Sequence, residues 1–84
     1  MGDANMKISW VKYAKDSKHF QLPETLGYPV LELEDMEAID EKLKELIKQG
    51  YQTIIVTDEV ASFSEDIIKK YPYQKGMNII IVPR

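Results

Sequence analysis

Two uninterrupted apolar runs constrain the fold of this 84-residue chain more than any other feature. They are Ile-Ile-Val at residues 54–56 and Ile-Ile-Ile-Val at residues 79–82. A strand with one face in water alternates apolar and polar residues, whereas the strands of a parallel sheet, covered on both faces, are apolar throughout. We therefore expect two parallel strands whose buried side chains are Ile54, Ile55, Val56, Ile79, Ile80 and Ile81.

A helical pattern precedes each run. The first stripe predicts a helix over residues 36–49, with Asp35 as its N-cap and Gly50 as the left-handed residue that ends it. Its apolar positions are Met36, Ile39, Leu43, Leu46 and Ile47. The second stripe predicts a short turn from Glu59, a break, and a main helix over residues 63–71. Its apolar positions are Val60, Phe63, Ile67, Ile68 and Tyr71. Ser62 and Glu65 have the spacing of a capping box, and Pro72 predicts the helix end.

Residues 7–13 and 28–33 complete the predicted sheet. The first segment is rich in aromatic and β-branched residues, and Pro29 favours a strand start or a sheet edge for the second. Residues 14–26 show no sustained period and predict a long loop with one helical turn near Phe20. Short helix-to-strand loops imply right-handed crossovers and a parallel sheet.

The predicted fold class is therefore α/β. We expect a small open four-stranded sheet in the order 2-1-3-4, Rossmann-like or flavodoxin-like, with helices on both faces. Residues 7–84 make a single domain, and residues 1–5 are set aside as a disordered start or a remnant of expression.

Charge and composition exclude several classes of protein. Fourteen acidic residues against eleven basic ones give a net charge of -3, which argues against a general nucleic-acid binder. No apolar run approaches the roughly 18 residues needed to cross a bilayer. Cysteine is absent, which removes disulfides and thiolate chemistry. Since the N-terminal residues also lack the pattern of a signal peptide, we expect a cytoplasmic protein.

The ligand position of an open parallel sheet lies beyond the carboxyl ends of its strands, here at residues 13–17 and 57–59. The loop at residues 14–18 reads Ala-Lys-Asp-Ser-Lys and has no glycine that would let backbone N–H groups approach a phosphate. We therefore expect no nucleotide cofactor, no bound metal, no covalent phosphate and no catalytic residue.

Asp58 and His19 are the two residues with a conceivable chemical role. Asp58 stands where a receiver domain carries its phosphoacceptor, but the acid pair and the lysine that such a site needs are missing, so Asp58 or Thr57 is read as a helix cap. His19 would need an orienting carboxylate, for which Asp16 is the local candidate, and it is read as a solvated loop residue.

The second half of the chain resembles the F-subunits of V/A-type ATPases. The resemblance rests on YQTIIVTDEVA at residues 51–61, IIKKY at 67–71 and IIIVP at 79–83. It is supported by LIKQG at 46–50, where the family has the end of its first long helix, and by KI at 7–8, FQL at 20–22 and GY at 27–28. The family often has Gly-Asp after its first strand, where this chain has Tyr13-Ala14. The family also continues into a C-terminal helix beyond residue 84, so this chain is identified as a short member without that helix.

The resemblance implies a non-catalytic role in ATP-driven proton or ion transport. The F-subunits belong to the central stalk, the rotor, and dock on the long coiled coil of the D-subunits, which would place this chain at the membrane periphery. Aromatic residues that the core periodicity does not use are the candidate partner contacts. They are Phe20, Tyr28, Tyr71 and Tyr73. The alternatives are a stand-alone regulatory domain of degenerate receiver type and an F-like homo-oligomer with another role.

Overall fold

The protein forms a four-stranded, all-parallel sheet in the order β2-β1-β3-β4. The structure is a computed structural model that describes residues 7–83, without the side chains of residues 71–75. The strands are β1 (Ile8–Tyr13), β2 (Val30–Leu33), β3 (Thr53–Thr57) and β4 (Asn78–Val82). The helices are α1 (Gln21–Thr25), α2 (Ile39–Lys48), α3 (Asp58–Ala61) and α4 (Glu65–Lys75). The predicted α/β class and strand order are confirmed.

The direction of each crossover decides which face of the sheet its helix covers. The connections from β2 to β3 and from β3 to β4 both advance in the same direction across the sheet, so right-handed crossovers place α2, α3 and α4 on one face. The connection from β1 to β2 runs the other way and places residues 14–29, including α1, on the opposite face. Contacts agree with this, since the Tyr28 ring lies 5.2 Å from the ring of Trp10.

The hydrophobic core lies between the sheet and the three later helices. The pairing register sets Val11 beside Val56, and both are fully buried together with Ile54. The helices contribute Ile39 and Leu43 from α2, Val60 and Ala61 from α3, and Ile67 from α4. Ser64, buried just before α4, donates a hydrogen bond to the Asp40 carboxylate and ties α4 to α2.

The first predicted helix forms, but its α-helical part begins at Ile39 rather than at Met36. The Asp35 carboxylate accepts a hydrogen bond from the Glu37 amide at 3.0 Å, and the chain makes a 3-10 turn at Met36–Ala38 before α2 begins. Gly50 has a φ of 91°, a left-handed conformation that costs glycine little. Asp35 therefore caps the 3-10 turn rather than α2 itself, whereas the helix end predicted at Gly50 is confirmed.

Two predictions about the second helical segment are wrong. Ser62 does not open a capping box, because it follows α3 and its hydroxyl donates to the Glu59 carbonyl at 2.7 Å. The helix also does not stop at Pro72, since α4 continues to Lys75. A proline removes one backbone donor and crowds the preceding turn, but it does not forbid further turns. Gly76, with a φ of 64°, follows the last helical residue.

The predicted burial of the last strand is also wrong. Ile80 and Ile81 are each 47% exposed, and Ile55 and Ile79 are half-buried, whereas Ile54 and Val56 are fully buried as predicted. Ile80 and Ile81 are exposed because β4 is an edge strand: within the described residues it has a neighbouring strand, β3, on one side only. An unbroken apolar run therefore marks a strand of a parallel sheet here, but does not distinguish the central β3 from the edge strand β4.

Candidate functional site

The loops that follow β1 and β3 meet at the carboxyl ends of the strands, as the topology predicts. They border an open cavity of about 300 Å³ lined by Asp16, Lys18, His19, Thr57, Asp58 and Glu59. The Thr57 hydroxyl accepts a hydrogen bond from the Val60 amide at 3.2 Å, so Thr57 caps α3. Of the two predicted caps, Thr57 is the one used, and Asp58 is the first residue of α3.

His19 links the loop after β1 to the end of β4. Its Nδ1 lies 2.8 Å from the Asp16 carboxylate, and its Nε2 lies 3.0 Å from the carbonyl oxygen of Pro83. Asp16 is itself held by the amides of Lys18 and His19, at 2.9 and 3.1 Å. The orienting carboxylate considered for His19 is therefore present, and His19 is half-buried rather than solvated.

Both acceptors around His19 favour its charged form. A carbonyl oxygen and an ionised carboxylate accept hydrogen bonds only, so both ring nitrogens must donate, and that requires the imidazolium. The Pro83 carbonyl, followed by the hydrogen bond and charge of Asp16 and the charge of Asp58, raises the His19 pKa despite partial burial. Partial burial acts to raise the Asp16 pKa, but the hydrogen bonds from Lys18 and His19 outweigh it and leave that pKa below its ordinary value.

This arrangement ties the loop after β1 to the end of β4 and engages both imidazole nitrogens with protein acceptors. A general base needs one nitrogen directed at a substrate, whereas Nδ1 and Nε2 here each face a protein acceptor. Within residues 7–83, no group of three or more His, Asp and Glu side chains is placed to hold a metal ion. Over the same residues, no helix is both long and apolar enough to cross a membrane.

Lys12 lies under the same loop on the face of the sheet opposite the core. Its side chain is buried, and Nζ donates to the His19 carbonyl at 3.2 Å and lies 3.8 Å from the Glu32 carboxylate. The periodicity of β1 does not single out this residue. Its hydrogen bond gives residues 14–20 a second anchor, next to the contacts of His19.

The candidate partner contacts fall in different environments. Tyr28 is 54% exposed and packs on Trp10. Phe20 is half-buried, has a φ of 63° and packs its ring 5.8 Å from that of His19. Phe20 therefore lies near the cavity, whereas Tyr28, in the segment before β2, packs against Trp10 of β1. The side chains of Tyr71 and Tyr73 lie outside the described part of the structure, and a binding role for any of the four stays a prediction.

Tyr28 belongs to a larger apolar surface that the sequence alone does not reveal. The pairing register places Trp10, Ile55 and Ile80 side by side across β1, β3 and β4. Alternation along the strands puts these three side chains on the face opposite the core. With the Tyr28 ring packed at a tilt against Trp10, they form a strip, which we name the apolar row (Tyr28, Trp10, Ile55 and Ile80).

Two exposed leucines lie in the segment just before Tyr28. Leu22 and Leu26 are 68% and 64% exposed. They are four residues apart, the spacing of one helix face, which is a sequence signal for an apolar surface on α1 and on Leu26, the residue that follows it. The signal is weak because the surrounding loop has no sustained period.

Comparison with known proteins gave no match: no family model, no curated protein and no solved structure is similar to this chain.

Proposed function

We propose that this chain is a non-catalytic interaction domain of the kind found in the F-subunits of V/A-type ATPases, and that it docks on the coiled coil of a D-like partner. The observation that carries the proposal is the apolar row on the sheet face opposite the core. Tyr28 at 54% and Ile80 at 47% exposure lie at its two ends. Large apolar side chains grouped on an exposed surface favour a protein contact.

The dimensions of the apolar row suit a helical partner. Neighbouring strands lie about 4.8 Å apart, so a row across three strands covers roughly 10 Å before the Tyr28 ring is added. An α-helix with its side chains is about 10–12 Å wide. The apolar stripe of one helix of a coiled coil can therefore cover the row.

The cavity at the carboxyl ends supports a structural role over a catalytic one. His19 directs both nitrogens at protein acceptors, and Asp16 accepts three hydrogen bonds from its own loop. Groups engaged in this way stiffen the loop after β1. A rigid body with a recognition surface is what a stalk component requires while other subunits hydrolyse ATP and move ions.

The alternative is a degenerate receiver-like regulatory domain. The observation in its favour is that Asp58 and Asp16 line one cavity. Against it, the Asp16 carboxylate is held by Lys18 and His19, and the chain places Pro83 where a receiver places its lysine.

Binding to a partner coiled coil tests the proposal. We expect Tyr28→Ala to weaken binding to the D-like coiled coil of the same organism by about 2 kcal/mol, roughly thirtyfold in dissociation constant, as for a central aromatic anchor. Calorimetric titration with the purified coiled coil measures it, and circular dichroism monitors the fold. Phe63→Ala is the matched control, because Phe63 is 52% exposed but lies between α3 and α4, away from the row.

Two results would contradict the assignment of this surface. One is a Tyr28→Ala variant that binds the coiled coil as tightly as the parent. The other is equal weakening by Phe63→Ala, which would move the contact to another part of the molecule. If the parent chain shows no binding at all, the proposed partner is wrong.

A further inference from the structure

The outer side of β4 presents unpaired backbone groups. Within residues 7–83, β4 pairs with β3 alone. The Asn78 amide donates to the Gln52 carbonyl at 2.8 Å, so the backbone groups of Asn78 face β3. Since these groups alternate in direction along a strand, those of Ile80 and Val82 also face β3, and those of Ile79 and Ile81 point away from the sheet.

Within its five residues, β4 also lacks the features that usually protect a sheet edge, and a proline comes only after the strand, at Pro83. Edge strands are commonly shortened or carry charges or proline, which discourage pairing with another chain. The opposite edge has all three features, because β2 has four residues, contains Glu32 and follows Pro29. In β4, all five residues, Asn-Ile-Ile-Ile-Val, are uncharged, and Ile80 and Ile81 are 47% exposed. The unprotected edge therefore suits an extended, uncharged strand.

We propose that two copies of this chain pair through β4 in antiparallel orientation, centred on Ile80. In this register Ile79 of one copy lies opposite Ile81 of the other. Both residues direct their backbone groups outward, so each pair exchanges both of its hydrogen bonds. The two Ile80 side chains lie directly opposite each other, and Asn78 lies opposite Val82. No residue of β4 is charged, so the two paired strands set no like charges opposite each other.

A second copy fits this edge better than an open-ended stack of sheets. Pairing β4 with β2 of the next copy would continue without limit, and it would meet Glu32 and Pro29 of the protected edge. Pairing β4 with β4 is two-fold symmetric and closes after two copies. It also joins the apolar rows of both copies at Ile80 into one strip across an eight-stranded sheet. The pairing itself does not depend on the proposed coiled-coil partner.

Sedimentation velocity over about 1–200 µM protein tests the association. We expect the mass to rise with concentration from that of one chain to that of two. Ile80→Lys should raise the dimer dissociation constant by at least about tenfold, because it sets like charges directly opposite each other. Ile80→Glu should do the same, and an equimolar mixture of the two variants should associate again. Leu26→Lys is the control, since it adds the same charge at an exposed leucine that precedes the opposite edge strand.

Amide hydrogen exchange gives a second readout that needs no variant. Raising the concentration of the parent chain should slow exchange at Ile79 and Ile81, whose amides point outward, and leave Ile80, already bonded to β3, unchanged. This measurement decides the question even if a charged variant fails to fold. The proposal is overturned if the parent stays a single chain at 200 µM, if Ile80→Lys associates as the parent does, if the mixture of charged variants stays monomeric, or if exchange at Ile79 and Ile81 is independent of concentration.

Discussion

Replacing Ile54 and Ile80 by alanine, one at a time, measures the difference between a buried and an edge strand. Both residues stand in apolar runs that look alike in sequence. In the structure Ile54 is fully buried between the sheet and the helices, whereas Ile80 is 47% exposed on β4. The two substitutions delete the same atoms from the two environments, so their difference reports burial alone.

The structure predicts a large difference in the free energy of unfolding. Ile54→Ala leaves a cavity in a closed core, for which losses of about 2–5 kcal/mol are typical, and we expect about 4. Ile80→Ala loses roughly half of the transfer free energy of the deleted groups and leaves no closed cavity, so we expect about 1 kcal/mol. A domain of this size has a total stability of roughly 4–13 kcal/mol, so Ile54→Ala removes a large part of it.

Urea unfolding followed by circular dichroism measures both losses, at concentrations where sedimentation shows one chain. If Ile54→Ala does not fold, Ile54→Val is the fallback, with an expected loss of about 1 kcal/mol against a few tenths for Ile80→Val. Equal losses at the two positions would refute the reasoning, because they would mean that β4 is as deeply buried as β3.

Two further predictions concern the cavity at the carboxyl ends of the strands. The folded-state pKa of His19 is raised by the Pro83 carbonyl, Asp16 and Asp58. The contribution of charged His19 to the stability of the fold is therefore fully present below the unfolded pKa near 6.5, and it is lost as pH rises through the folded-state pKa. The excess stability of the parent over His19→Gln, from urea unfolding, should therefore be larger at about pH 5.5 than at about pH 8.5; a difference that grows with pH would contradict the tie to Pro83. Titration with ATP, Mg²⁺ or acetyl phosphate should give no stoichiometric heat with a dissociation constant below about 10 µM, or 7 kcal/mol; such a heat would favour the receiver-like alternative.

The sequence was sufficient for the topology because local signals agreed with one another. Asp35, the stripe that includes Leu43, and Gly50 define one helix, and the run after it defines a parallel strand. Their order along the chain left few topologies open. The same reasoning predicted a cap at Asp58 or Thr57, where a strand ends before a helical stripe, but it did not decide between the two.

The errors share a different origin, because each depends on tertiary context. The exposure of Ile80 and Ile81 follows from their place at the edge, which the predicted order 2-1-3-4 already contained. Pro72 shows that a local preference does not always end a helix. Ser62 shows that capping-box spacing can be used for another hydrogen bond.

The candidate site was the least predictable part. The tie between His19 and Pro83 joins residues 64 positions apart, and no local pattern indicates such a contact. The apolar row combines residues from β1, β3, β4 and the loop before β2, which come together only through the pairing register.

The all-parallel arrangement of the sheet has a mechanical consequence. Because β1 and β4 run in the same direction, Ile8 opens β1 at one end of the sheet and Val82 closes β4 at the other. A force that pulls these two residues apart acts along the strands and loads the ladders between β1, β3 and β4 in shear. Many hydrogen bonds must then fail together, whereas a force across the strands would open them one after another. The domain should therefore be stiffest along its strands.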